Sequence, residues 1–292
     1  MTWFLIALLS SFFSAFAAIT QKKVLFKRTP FEFSFLLSIV NLFFSIPFFF
    51  LIDYGTIDSS NLSILFIKSI IGVAAFLSVM TALKNLQISN ALPLLALTPG
   101  FVALFAYLLL GESLKMTEVI GLVSLIIGTY ILESKNLKEI LFPLNVFFRS
   151  KYHRYIIAAL LLFTASSIMD KLLLVKMNLS PVSLTAFQHL FFALLFAVLF
   201  LFIRKKGESV PVNLKKNDIG WIALISLFTI GYRFTQVLAI SLASVALTLA
   251  VKRTSVLWAT LIGGRIFKDS NLLKKSIAVL FILAGAILIL RD

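Results

Sequence analysis

The stretch Leu242–Gly264, LASVALTLAVKRTSVLWATLIGG, is long and apolar enough to cross a bilayer, yet it carries Lys252 and Arg253 at its centre. At about 1.5 Å of rise per helical residue, the ten residues from Leu242 put this pair roughly 15 Å into a hydrocarbon layer about 30 Å thick. A cation left there costs roughly 3 kcal/mol or more unless it faces water, a counter-charge or a ligand. The stretch therefore predicts a polar cavity inside the membrane, built around Lys252 and Arg253.

The rest of the chain agrees. Of its 292 residues 60% are hydrophobic and only 13% charged, which marks a polytopic membrane protein. A formal net charge of +15 would suggest nucleic acid in a soluble chain. Here Lys and Arg fall mostly in short loops between apolar segments, where they set orientation, so nucleic acid is excluded as a partner. Cysteine is absent, which removes disulfides, thiolate nucleophiles and Cys-based metal sites together. His153 and His189 are too far apart in sequence to suggest a ligand pair, so no metal is expected. No basic segment precedes the first apolar run, which reads as a membrane helix rather than a cleaved signal.

Ten apolar segments of roughly membrane-spanning length are expected at 2–20, 31–52, 63–83, 89–110, 116–133, 155–176, 181–203, 218–240, 242–264 and 273–290. The longest connection splits them five and five: a first repeat over 1–133, a loop or interfacial helix over 134–154, and a second repeat over 155–292. KKVLFKRTPFEF (Lys22–Phe33) has a counterpart in KLLLVKMNLSPVSL (Lys171–Leu184). ALPLLALTPGFVALFAYLLLGE (Ala91–Glu112) has one in VALTLAVKRTSVLWATLIGGR (Val245–Arg265). With an odd number of spans per half, the second half inserts upside down relative to the first. The expected fold is an all-α membrane protein of ten transmembrane helices, two inverted five-helix repeats around a central cavity.

On these features the chain resembles the ten-helix drug/metabolite transporter superfamily, specifically its EamA-like branch. The pattern is carried by Ala82-Leu83-Lys84, Ser89-Asn90-Ala91, Thr98-Pro99, Leu110-Gly111-Glu112-Ser113-Leu114, and Gly121 with Gly128. The second half departs from it: Lys252-Arg253-Thr254 stands where the first half has Thr98-Pro99-Gly100, and Gly264-Arg265 where Gly111-Glu112 would be mirrored. The resemblance implies a transporter of small molecules in the cell membrane, with cytoplasmic termini. Loop charges point the other way, with nineteen Lys and Arg in the loops after odd-numbered spans against four after even-numbered spans and the C-terminus. Because these charges act on the chain's own insertion, the odd loops are placed inside and both termini outside.

Lys252 and Arg253 lie about 100° apart on one helix, so both can border one wet cavity. Arg offers a planar fork and Lys a point charge to a carboxylate or phosphate. Alternatively they pair internally with Asp170 or with backbone carbonyls. Arg233 shares a helix face with Gln236 and lies beside Tyr232, as a third cavity cation or a partner for Asp170. Asp170 is the one carboxylate well inside a predicted span. With Lys171 beside it, salt bridging and proton coupling or gating are both open. The resemblance adds that small cationic-drug exporters depend on a carboxylate in the first helix; Thr2–Thr20 has none, which argues against cation efflux. Trp258 and Tyr107 either line the cavity or pack. Asn41, Gln188 and His189 either cement helices or, for His189, relay protons. Lys68, near the start of its span, is expected to snorkel to the headgroups. Small residues (Ala96, Gly100 and Ala103; Gly121, Ser124 and Gly128) give flat strips for close helix contact, and Pro93 and Pro99 a kink.

No Ser-His-Asp spacing, HExxH or phosphate-binding glycine loop is present, so no enzyme, catalytic residue or cofactor is expected. The reading is a secondary transporter, monomeric or homodimeric, moving a small metabolite with an anionic or zwitterionic group by alternating access. Protons through Asp170 or His189 are a secondary coupling route. The alternative is a lipid-handling membrane protein or membrane enzyme that binds a lipid phosphate at the same cationic pair.

Overall fold

A computed structural model describes residues 1–25, 28–85, 95–133, 151–205, 216–255, 257–258 and 272–290. Ten α-helices lie among them: α1 Thr2–Leu25, α2 Pro30–Phe49, α3 Ser59–Asn85, α4 Thr98–Leu110, α5 Met116–Glu133, α6 Lys151–Lys171, α7 Pro181–Lys205, α8 Lys216–Leu242, α9 Val245–Arg253 and α10 Leu272–Leu290. Six of them (α1, α2, α3, α6, α7 and α8) are long and apolar enough to cross a membrane. The described residues are thus predominantly helical and carry no strand, and the chain is a multi-pass membrane protein. Residues 134–150, and Gly264 with Arg265, lie outside the described residues, as do Ser89 to Pro93.

Helix ends follow local chemistry. Thr29 caps α2 by accepting the Glu32 N–H at 3.1 Å, and Pro30 opens the helix where no donor is needed. Helix α6 continues as a π-turn over Leu172–Lys176, then stops where Asn178 turns left-handed (φ 53°). Helix α4 ends at Gly111, φ 72°, whose N–H bonds back to Tyr107 while that of Glu112 reaches Ala106. This is why the motif places a glycine before Glu112.

The distribution of side chains is that of a protein in lipid. Phe43, Leu108, Leu201 and Ile287 stand exposed on the outside, whereas Lys68, Asp170, Asn41, Gln188 and His189 are buried. Helix α5 meets α10, α1 meets α8, α3 meets α6, and α2 meets α7 as the most extensive pairings. Next come α2 with α8, α4 with α6, α3 with α7, α1 with α9, and α4 with α9. Adding five to each helix number, with return to the start after ten, maps this set onto itself. The closest seam is α5 on α10. A Cβ on Gly285 would lie 2.6 Å from the Gly121 carbonyl oxygen, and one on Gly128 2.8 Å from that of Ala278. Ser124 donates across the same seam to the Phe281 carbonyl at 2.8 Å. The expected flat strip on the fifth span is therefore a backbone-to-backbone contact with the tenth.

The stretch 242–264 is not one helix from its first residue. Leu242 ends α8, and α9 starts at Val245 after Ser244. Lys252 is thus about 10 Å from the start of its helix rather than 15 Å.

Candidate functional site

Helix α9 ends at Arg253, and the chain turns at Thr254 before resuming helical form at Ser255. The chain before α4 is interrupted about one turn earlier in the repeat, with a turn at Leu97 between Leu95-Ala96 and Thr98-Pro99. Pro99 explains the second break, since it lacks an N–H and restricts the residue before it. The two interruptions meet: Arg253 Nη2 donates to the Thr98 hydroxyl at 3.3 Å. A helix end inside a membrane leaves carbonyls that carry partial negative charge, so cations at the last turn of α9 sit where the helix favours them. Lys252 Nζ donates to the Gln236 side-chain oxygen at 2.5 Å and lies 4.4 Å from the centre of the Tyr232 ring. Its partners among the described residues are thus neutral, an amide and an aromatic face.

Beside this pair is a buried ionic cluster. Asp170 on α6 accepts from Arg233 of α8 with both oxygens, at 2.8 and 2.7 Å, and lies 2.6 Å from Lys68 of α3. The Gln188 oxygen on α7 accepts from Lys68 at 2.6 Å and from Arg233 at 3.0 and 2.7 Å. Lys68 and Asp170 are each 1% exposed. The expectation that Lys68 snorkels to the headgroups is therefore wrong. Position along the helix suggested an escape route, but Asp170 and Gln188, distant in sequence, supply a counter-charge and an acceptor that hold it inside. Lys68 and Arg233 thus share one carboxylate, Asp170, with Lys252 on its neutral partners nearby.

Lys171, although adjacent to Asp170, points elsewhere. It lies 3.3 Å from Glu112 and donates to the carbonyls of Ile240 and Ala243 at 3.0 and 2.7 Å. Glu112 in turn accepts from the Ser244 hydroxyl at 3.0 Å and the Val245 N–H at 3.3 Å. The two residues tie the end of α8 to the start of α9. At the opposite end of α8, Arg28 pairs with Glu32 and, at 2.8 Å, with Asp218, while Lys84 donates to the Arg28 carbonyl at 2.9 Å. An ionic tie thus lies at each end of α8.

Between the ties, α2, α3, α7 and α8 enclose a cavity of about 60 Å³. Helical spacing explains its walls. Ser34, Ser38 and Asn41 recur on one face of α2, Thr229 and Arg233 lie one turn apart on α8, and His189 and Phe196 stand two turns apart on α7. At that size it has room for part of a small molecule, below the roughly 300 Å³ of a whole ligand pocket.

The predicted residues therefore divide. Arg233 and His189 line the cavity; Lys252, Arg253 and Gln236 cluster at the helix break beside it. Trp258 donates to the Ser11 hydroxyl at 3.0 Å and packs edge-on against Phe12, so it anchors α1. Tyr107, 62% exposed, faces outward with Leu104 and Leu108 and does not reach the cavity. Its place in the repeat pointed inward, but the helix register turns it to the lipid side. Missed by sequence reasoning were Ser34, Ser38 and Thr229; the polar i, i+4, i+7 series on the second span was a legible signal for the first two.

The sequence matches the EamA-like transporter family over residues 1–134 and 151–291. No curated protein matches it. In fold it is similar to a protein of known crystal structure, with a TM-score of 0.75 and 16% identity over 98% of this chain and 96% of that one.

Proposed function

This chain belongs to the EamA-like transporter family of drug/metabolite transporters, and we propose that it moves a small metabolite bearing an anionic or zwitterionic group by alternating access. The observation that carries this reading is the charge arrangement of the interior: Lys68 and Arg233 share one carboxylate, and among the described residues Lys252 beside them is held by neutral partners. An incoming anion relieves that imbalance, whereas a cation worsens it. Arg233, Lys252 and Arg253 receive the anion, with Gln236 presenting Lys252. Asp170 has both oxygens occupied by cations, which supports a structural rather than proton-carrying role for it.

Ten crossings in two inverted halves are part of the same proposal. The family matches each half separately, and the helix pairings are unchanged when the halves are exchanged. Ionic ties at the two ends of α8 suit alternating access, in which rupture of one tie at a time admits substrate. Loop charge supports odd loops inside and both termini outside the cell membrane. A C-terminal tag should then be reached by antibody on intact cells; labelling only after permeabilisation would reverse this orientation.

The test of the function is uptake by the purified chain in proteoliposomes, screened over amino acids, organic acids and phosphorylated metabolites. Saturable uptake of at least one anionic or zwitterionic compound is expected. Uptake confined to cations would contradict the reading.

A further inference from the structure

Three buried polar atoms in the cavity have no hydrogen-bond partner among the described residues: Asn41 Oδ1, His189 Nε2 and Thr229 Oγ1. The residues are 7%, 5% and 7% exposed, come from three different helices, and all line the same space. Each such atom costs about 1–3 kcal/mol if left unpaired, so three at one place call for a common occupant. Polarity of the wall alone is not the reason. Ser34 and Ser38, on the same face of α2, satisfy their hydroxyls on the Pro30 and Phe35 carbonyls of their own helix, both at 2.7 Å.

We propose that this cavity is a subsite for the hydroxylated part of the transported anion, with Asn41, His189 and Thr229 as its hydrogen-bonding partners and Arg233 at its charged end. The inference rests on the anionic reading above and narrows it to short hydroxy acids. The donor and acceptor pattern selects the chemistry. The Asn41 oxygen only accepts, the Thr229 hydroxyl does both, and His189 Nε2 does either according to tautomer. Adjacent hydroxyls answer all three, whereas a methyl group answers none. Arg233 spends Nε and Nη2 on Asp170 and Gln188, which leaves Nη1 outside those bonds for a carboxylate. Phe76, Phe192 and Phe196 supply an apolar wall for the carbon chain. A volume of about 60 Å³ corresponds to roughly four to six waters, which suits a short chain and not a bulky one.

Binding of glycerate and of butyrate to the purified full chain, measured by calorimetry, tests this. The two acids are similar in length and differ in their hydroxyls. Glycerate is expected to bind about tenfold more tightly or better, because a site built for hydroxyls rejects an analogue lacking them. Asn41→Leu and Thr229→Val should each weaken glycerate about tenfold and leave butyrate unchanged. Both variants should melt no lower than the parent, since each removes an unpaired polar atom. Arg233→Gln should weaken both acids alike. Equal affinity for the two acids in the parent, variants that change both alike or neither, or no binding of either acid would overturn the proposal. Loss of discrimination with Arg233 dependence intact removes the hydroxyl subsite alone. Discrimination retained without Arg233 dependence removes the anionic reading, and with it the charged end of this site.

Discussion

Asp170→Ala is expected to be the most damaging single substitution in the chain, lowering stability by about 3–5 kcal/mol. The reason is charge balance at a site 1% exposed, where one carboxylate lies between Lys68 and Arg233. Its removal leaves two cations facing each other without a counter-charge. Lys68→Met should be far milder, because Asp170 and Arg233 remain as a balanced pair with two bonds between them. The double variant Asp170→Asn with Lys68→Met should recover most of the loss, since a single cation then remains, held by Gln188. Thermal unfolding of the four proteins in one detergent checks the order. A melting temperature for Asp170→Ala equal to that of the parent would show that the cluster does not hold the helices together.

The cluster also shows where sequence reading reaches its limit. Lys252 and Arg253 announce themselves because they interrupt an otherwise apolar run, and Asp170 and Arg233 do so for the same reason. Their partners are another matter. Lys68 and Asp170 are 102 positions apart in sequence, and only the packing of α3 on α6 brings them together. A lysine six residues into a span looks able to escape, and nothing local says that a carboxylate waits for it. Tyr107 fails for a related reason: repeat position gives depth in the membrane but not rotation about the helix axis. The helical, membrane-spanning character and the glycine seam were legible because each rests on local periodicity. Gly111 and Glu112 were legible as a motif, but their reasons, a left-handed helix end and a cap on a helix 133 positions later, are tertiary.

The second large effect concerns the helix break, and it bears on the central claim that the interior is kept positive in order to receive an anion. In the variant Lys252→Gln with Arg253→Gln, Asp170 keeps both Lys68 and Arg233. Lys252 gives up an amide and a ring, both neutral, and the bond from Arg253 to the Thr98 hydroxyl is lost as well. Folding should therefore survive, and a loss of transport could not be ascribed to collapse of the cluster. Removing charge-assisted contacts to a desolvated ligand costs about 2–5 kcal/mol, which corresponds to a fall of roughly thirtyfold or more in apparent affinity. The direct measurement is uptake of labelled small carboxylates and phosphate esters into proteoliposomes holding parent or double variant at matched protein density. Saturable uptake by the parent, reduced thirtyfold or more in a variant that melts at the parent's temperature, is the predicted result. Uptake by the variant at the parental rate and affinity would contradict it.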